Sequence, residues 1–114
     1  MTVALNSPPL SPAVLHILLA LAGEDRHGYG IMLEIARQSS GKYKMGPGTL
    51  YDNLQRLLSQ ELVAECPRAA DAEEDSRRRY YTLTGAGRQV LSAEIVRLEG
   101  VVKEARFCLA RKPA

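Results

Sequence analysis

The sequence predicts a mainly α-helical domain with a small β-hairpin, closed by one long C-terminal helix. Three observations carry this. Apolar residues recur at helical spacing in four separate segments. Two short runs, Leu62 to Cys66 and Arg78 to Leu83, flank a polar loop. Ser11 and Thr84 stand as caps before the first and last helical segments.

The bulk numbers fit one modest domain. The chain has 114 residues, 46% hydrophobic and 25% charged, which describes an ordinary globular protein. Its longest apolar stretch, Ala13 to Ala22, is interrupted by His16 and is too short to span a bilayer, so no membrane partner is expected. The N-terminus lacks the basic region of a secretory signal, and a cytoplasmic protein is expected. Cys66 and Cys108, without CxxC spacing, suggest neither a disulfide framework nor a zinc site; they read as small packed apolar groups, with oxidation sensing as the alternative. No metal or cofactor is expected. With two histidines, no phosphate-cradling glycine loop and no spaced carboxylate pair, the chain does not read as an enzyme.

Residues 1–10, with Pro8 and Pro9, read as a flexible arm. Ser11-Pro12 then starts a helix reaching about Ala22, because Ser caps free N–H groups and Pro fits the first helical position. That helix is apolar nearly all round, which calls for burial on more than one side and nominates Leu15 and Leu18 for contact with a second subunit. His16, on this helix, reads as a hydrogen-bonded interface residue. After a turn, His27-Gly28-Tyr29-Gly30 opens a second helix. Its expected apolar stripe is Tyr29, Leu33 and Ala36, with Ile31 and Ile35 beside it, and Ser39-Ser40-Gly41 ends it.

The third helix, residues 46–60, begins at Gly46-Pro47-Gly48-Thr49. Leu50, Leu54, Leu57 and Leu58 fix its core face. Gly48, Asp52, Gln55, Arg56 and Ser59 point the opposite way, with Thr49, Asn53 and Tyr51 on the flanks. Such a short, polar, hydrogen-bonding face suits base edges in a DNA major groove. Asn53, Gln55 and Arg56 are the candidates for bases or phosphates. Lys42, Lys44 and Thr49 are candidates for phosphates, which position a protein without reading sequence. Tyr51 either hydrogen-bonds a phosphate or packs on the hairpin. His27 either meets a phosphate at a helix N-terminus or belongs to a packed turn. Net charge is only +2, yet residues 26–56 carry a local +3 that would favour phosphate.

The wing, residues 62–83, has an acidic tip (Asp71, Glu73, Glu74, Asp75) and a basic base of Arg77, Arg78 and Arg79, the last candidates for DNA contact. Helix, helix, helix, hairpin, helix is the order of a winged helix-turn-helix domain, here residues 11–84, followed by a helix over 85–110. In that last helix Leu91, Ile95, Leu98, Val102, Ala105 and Leu109 are spaced 4, 3, 4, 3, 4, the a/d repeat of a coiled-coil seam. The stripe is longer than a small core can cover, so it predicts a homodimer whose two third helices would meet a palindromic site in double-stranded DNA. Glu99 and Lys103 form a favourable i, i+4 pair on it. The alternative is a winged-helix module that binds protein and not DNA.

Three stretches together resemble a family: His27-Gly28-Tyr29-Gly30-Ile31; Gly46-Pro47-Gly48-Thr49-Leu50-Tyr51 with Leu54, Arg56 and Leu57; and Arg79-Tyr80-Tyr81-Thr82-Leu83-Thr84 with Gly87. Over about residues 11–110 the chain resembles the PadR family of bacterial transcription regulators, in its short subgroup with a single C-terminal helix. The resemblance implies a dimer built through the first and last helices and a repressor relieved by a small molecule. The effector would lie between the last helices, here by Leu98, Val102 and Phe107. The chain has no Trp and its final helix carries only Phe107, a departure from the aromatic-lined site of drug-responsive members.

Overall fold

Ser11 starts the first helix as expected. Its hydroxyl accepts from the N–H of Val14 at 3.2 Å, Pro12 takes the first position, and α1 runs Pro12–Gly23. In the computed structural model, which describes residues 8–66 and 79–111, the elements that follow are β1 (Arg26–His27), α2 (Gly28–Gln38), α3 (Pro47–Ser59), β2 (Val63–Cys66), β3 (Tyr80–Leu83) and α4 (Gly85–Ala110). Residues 1–7 of the expected arm, the acidic wing tip, and Arg77 and Arg78 lie outside the described residues.

Among the described residues the fold is a winged helix of four helices, the last of them the long C-terminal α4, with a small antiparallel sheet. The sheet has three strands in the order β1-β3-β2, one more than the expected hairpin. β2 pairs with β3 with Val63 opposite Leu83 and Cys66 opposite Tyr80. On the other edge of β3, Arg26 faces Tyr81 and His27 faces Tyr80. A two-residue strand has no periodicity to read, so it was invisible in the sequence.

The core is built from one face of each element: Ile17, Leu18 and Leu21 of α1, Ile31 and Ile35 of α2, Leu50, Leu54 and Leu57 of α3, Val63, Tyr81 and Leu83 of the sheet, and Val90 and Leu91 of α4. Leu58 packs against it only in part. Two expectations are corrected. The buried stripe of α2 is Ile31 and Ile35, while Tyr29 and Leu33 are 62% and 54% exposed. Leu18 and Leu91 are buried in the chain's own core and offer a partner little surface: α1 is covered by α2, α3, β3 and α4, and the start of α4 packs on α1 and β3. Leu15 remains at the core's margin.

The turn between α3 and β2 positions α4. Glu61 adopts a left-handed φ of 63°, and the N–H groups of Glu61 and Leu62 return to the carbonyls of Leu58 and Leu57, the closing pattern of a helix C-terminus. Thr84 then joins this turn to α4. Its hydroxyl donates to the Glu61 carbonyl at 2.7 Å and accepts from the N–H of Gly87 at 2.9 Å, and its own N–H donates to the Leu62 carbonyl.

Glu94 of α4 is buried, a rare place for a carboxylate. Arg97 donates to it twice, at 2.9 and 2.6 Å, and the N–H of Leu10 donates from just ahead of α1. These contacts hold its carboxyl below the usual range, with the Arg97 hydrogen bonds outweighing the opposing effect of burial. The pair thus ties the start of α1 to α4.

Beyond Leu98 every described residue of α4 is exposed. The helix is about 39 Å long by its rise per residue, in a molecule whose longest dimension is 65 Å. Among the described residues no helix is long and apolar enough to cross a membrane.

Candidate nucleic-acid interface

Gly46 precedes α3 without a side-chain cap, and Pro47 takes a first helical position. The first N–H groups of α3 therefore lack the side-chain partner that Ser11 or Thr84 supplies elsewhere, and Gly48 and Thr49 beside them are exposed. A helix start of this kind presents donors and a partial positive charge to an anion. Along the outer face Asp52, Gln55, Arg56 and Ser59 are exposed, opposite the buried Leu50, Leu54 and Leu57. The periodicity of the sequence had placed all of them.

The flanks carry finer detail. The Nδ2 of Asn53 donates to the Thr49 carbonyl at 2.8 Å, so its amide is engaged on its own helix. Tyr51, 45% exposed, lays its ring against the start of α2. A Cβ on Gly28 would overlap the Tyr51 hydroxyl, so glycine there makes the notch that receives the phenol. Tyr51 also lies near Tyr81, whose own phenol is pushed above its ordinary range by burial first, then by Glu65 and Tyr51. Packing thus accounts for much of Tyr51.

His27 is the N-cap of α2. Its Nδ1 accepts from the N–H of Gly30 at 3.1 Å, and its ring meets Tyr80 of β3 edge-on, with centroids 5.2 Å apart. A neutral ring in this role carries its proton on Nε2. His27 therefore fastens α2 to the wing. His16 differs from the expected hydrogen-bonded residue: it stacks on Tyr43 at 4.5 Å, and its buried Nδ1 has no hydrogen-bond partner among the described residues.

Charge is distributed differently from the simple count. Arg26 donates through Nε to the Ala20 carbonyl at 2.7 Å and lies 3.6 Å from both Glu24 and Glu34. Arg37 pairs with Glu34 at 2.6 Å. The two arginines and Gln38 hold the Glu34 carboxyl below its usual range, Arg37 foremost. Arg79 pairs with Glu65 across the hairpin at 3.0 Å. Each of these arginines has its charge met by an acid, which a residue count cannot reveal. Lys42, Lys44 and Arg56 have no such ion pair among the described residues and are exposed around α3.

On α4, Ile95, Val102 and Leu109 are 40%, 48% and 84% exposed, and Ala105 is exposed with them. Ile95, Leu98, Glu99, Val102, Lys103 and Arg106 line an open depression of about 430 Å³. Of the residues nominated for an effector, Leu98 and Val102 border it. Phe107 does not, and sits 57% exposed beneath the Arg111 guanidinium, 5.4 Å away.

Residues 14–93 match the transcriptional regulator PadR-like family. An uncharacterized 37.1 kDa protein of a Streptomyces fradiae transposon is 41% identical over 95 residues, 81% of this chain but only 25% of that protein. A transcriptional regulator of Mycobacterium tuberculosis is 36% identical over 90 residues, 79% of this chain and 78% of that one. Among solved structures, a PadR family transcription regulator from Clostridium difficile superposes with a TM-score of 0.68 at 27% identity, covering 87% of this chain and 99% of that one. The Lactococcus lactis regulator ZitR, solved in complex with DNA, shares the fold at a TM-score of 0.61 and 20% identity, over 90% of this chain and 62% of its own. The family match covers most of the molecule from α1 into α4, and the chain belongs to the PadR-like family of transcriptional regulators.

Proposed function

We propose that this regulator binds a palindromic operator as a homodimer, represses transcription there, and is released by a small-molecule effector. The observation that carries the DNA reading is the outer face of α3. It is polar, exposed and uncapped at its start, with Lys42, Lys44 and Arg56 around it unpaired among the described residues. Gln55 and Arg56 are the residues for base edges. Lys42, Lys44, Thr49 and the donors near Gly48 are suited to phosphates. His27 caps the start of α2 and braces it on the wing. Tyr51 and Asn53 hold the surface in shape while remaining within its border, and Arg79 joins only by leaving Glu65. ZitR, which shares the fold, was solved with DNA, and this supports the same use of the fold here.

The unpartnered stripe of α4 supports the homodimer, with residues 85–110 as its dimerisation helix and residues 11–84 as the DNA-binding part. An effector would enter beside Leu98 and Val102, where the depression is aliphatic and bordered by Lys103 and Arg106. Binding of DNA from the region upstream of the chain's own coding sequence tests the reading. Retention that falls steeply with salt is expected, with log K declining by about 0.9 per log unit of salt for each phosphate neutralised. Affinity left unchanged by Arg56→Ala together with Lys44→Ala would remove α3 from the interface.

A further inference from the structure

The exposed lysines have no ion pair within 4.0 Å among the described residues. On α4 the expected Glu99–Lys103 pair is not formed. Lys42 and Lys44 differ from Lys103 in being carried by a short connection that side chains fasten at three points. Residues 39–46 belong to no helix or strand, and Ser40 and Gly41 are left-handed, with φ of 55° and 76°. From Tyr43 to Met45 no helix or sheet ladder holds the backbone, so side chains set its path.

The first fastening is Ser39. Its hydroxyl accepts from the Tyr43 N–H at 3.0 Å and shares its proton between the carbonyls of Tyr43 at 3.2 Å and Ala36 at 3.4 Å. The last is Met45, buried in the core just ahead of Gly46. Between them the Tyr43 ring lies on the His16 ring of α1, with centroids 4.5 Å apart and planes 17° from parallel. Burial alternates along the segment: Lys42 is exposed, Tyr43 half-buried, Lys44 exposed and Met45 buried. In extended chain, successive side chains point to opposite sides, so holding Tyr43 and Met45 inward turns both lysines outward.

Resting on the DNA reading above, we infer that His16, on a different helix from the polar face of α3, is a positioning residue for phosphate binding. Its ring is the platform that seats Tyr43 and thereby fixes Lys42 and Lys44 ahead of the uncapped start of α3. Two cations held in place before the encounter lose less freedom on binding than those of a free loop. They also adjoin the donors of the helix N-terminus, which take the same ligand, the duplex backbone. The Nδ1 of His16 is buried with no hydrogen-bond partner among the described residues. The flat face of the ring, and not that nitrogen, therefore does the seating.

The test is binding of the duplex from upstream of the chain's own coding region, measured over a range of salt. His16→Ala is expected to weaken binding roughly tenfold, because the lysines must be ordered anew on each encounter. It also flattens the salt dependence by about 0.9 for each phosphate contact released. His16→Phe, which keeps a flat ring, stays within about twofold of the parent. In a Lys42→Ala, Lys44→Ala background His16→Ala has no further effect, because it acts only through those lysines. A purely structural role would instead lower Tm in both backgrounds and leave the salt slope unchanged. An unchanged slope, a His16→Phe as weak as His16→Ala, or a full further loss in the lysine-free background would each overturn the proposal. Tyr43→Leu reads the same stack from its other ring and should reproduce the His16→Ala losses, so the test stands even where His16→Ala does not fold. Absence of binding by the unaltered chain at every salt concentration would remove the DNA reading beneath, and this proposal with it.

Discussion

The same substitution, Gly→Ala, is expected to have opposite signs at two positions of α4. At Gly87 a Cβ would stand 2.1 Å from the Leu62 carbonyl oxygen and 2.7 Å from Leu83 Cδ1, so backbone must move. The Leu62 oxygen already accepts from Thr84, and the Thr84 hydroxyl bridges Glu61 and Gly87. Opening this junction weakens a helix cap and two hydrogen bonds, each worth about 1 kcal/mol, for a loss of about 3 kcal/mol. In a domain of this size that lowers Tm by roughly 10–20 °C. At Gly100 nothing lies within 4 Å of the added methyl. There the helix gains about 1 kcal/mol, because alanine loses less backbone entropy than glycine and exposes less backbone to water. Thermal unfolding followed by circular dichroism, at one fixed protein concentration, reads both. A Gly87→Ala protein within 2 °C (about 0.5 kcal/mol) of the parent would refute the junction, and a destabilised Gly100→Ala would show that another surface packs on the outer side of α4.

Three further outcomes are expected. Glu34 and Glu94 both have carboxyls held below their ordinary value of 4.5 in the folded chain. Their contribution to stability is therefore present above that value and is lost as pH falls through their folded values. Denaturant midpoints should accordingly be level near neutrality and drop in acid, and Glu94→Gln should lower the neutral midpoint and flatten part of that drop. Glu61→Gly, which relieves a left-handed backbone, should raise Tm and stabilise by about 0.5–1 kcal/mol in the same unfolding assay. In salt titrations of DNA binding, Lys44→Ala should weaken all duplexes alike and reduce the salt slope by about 1. Arg56→Ala should cost about 1–3 kcal/mol and relax preference at one base position.

Much of the fold was legible because local chemistry decided it. Ser11-Pro12, Pro47 and Thr84 mark helix starts whatever surrounds them, and the leucines of α3 leave one choice of inner face. The stripe of α2 was misread because Tyr29 and Leu33 share the spacing of a buried pair, and only packing shows that Ile31 and Ile35 face inward. The polar face of α3 was legible for the same reason as its core face. Its electrical surroundings were not. Whether an arginine is free depends on which acid the fold brings to it, and Glu34 and Glu65 reach theirs through the helix turn and the strand register. The roles of Gly28 and His27 likewise depend on contacts between elements: a notch for Tyr51 in one case, a cap leaning on Tyr80 in the other. The depth of Leu18 follows from four elements closing on α1, and that of Leu91 from α4 packing on α1 and β3, which no single helical pattern contains.

The central claim is that two copies of α3 are presented to one duplex. Footprinting on the DNA upstream of the chain's own coding region tests it directly. The account predicts two protected half-sites related by a twofold, centred about one helical turn (roughly 10 bp) or a multiple apart, with protection lost on Arg56→Ala plus Lys44→Ala. A folded dimer that protects no duplex, or one whose protection is indifferent to those residues, would contradict it.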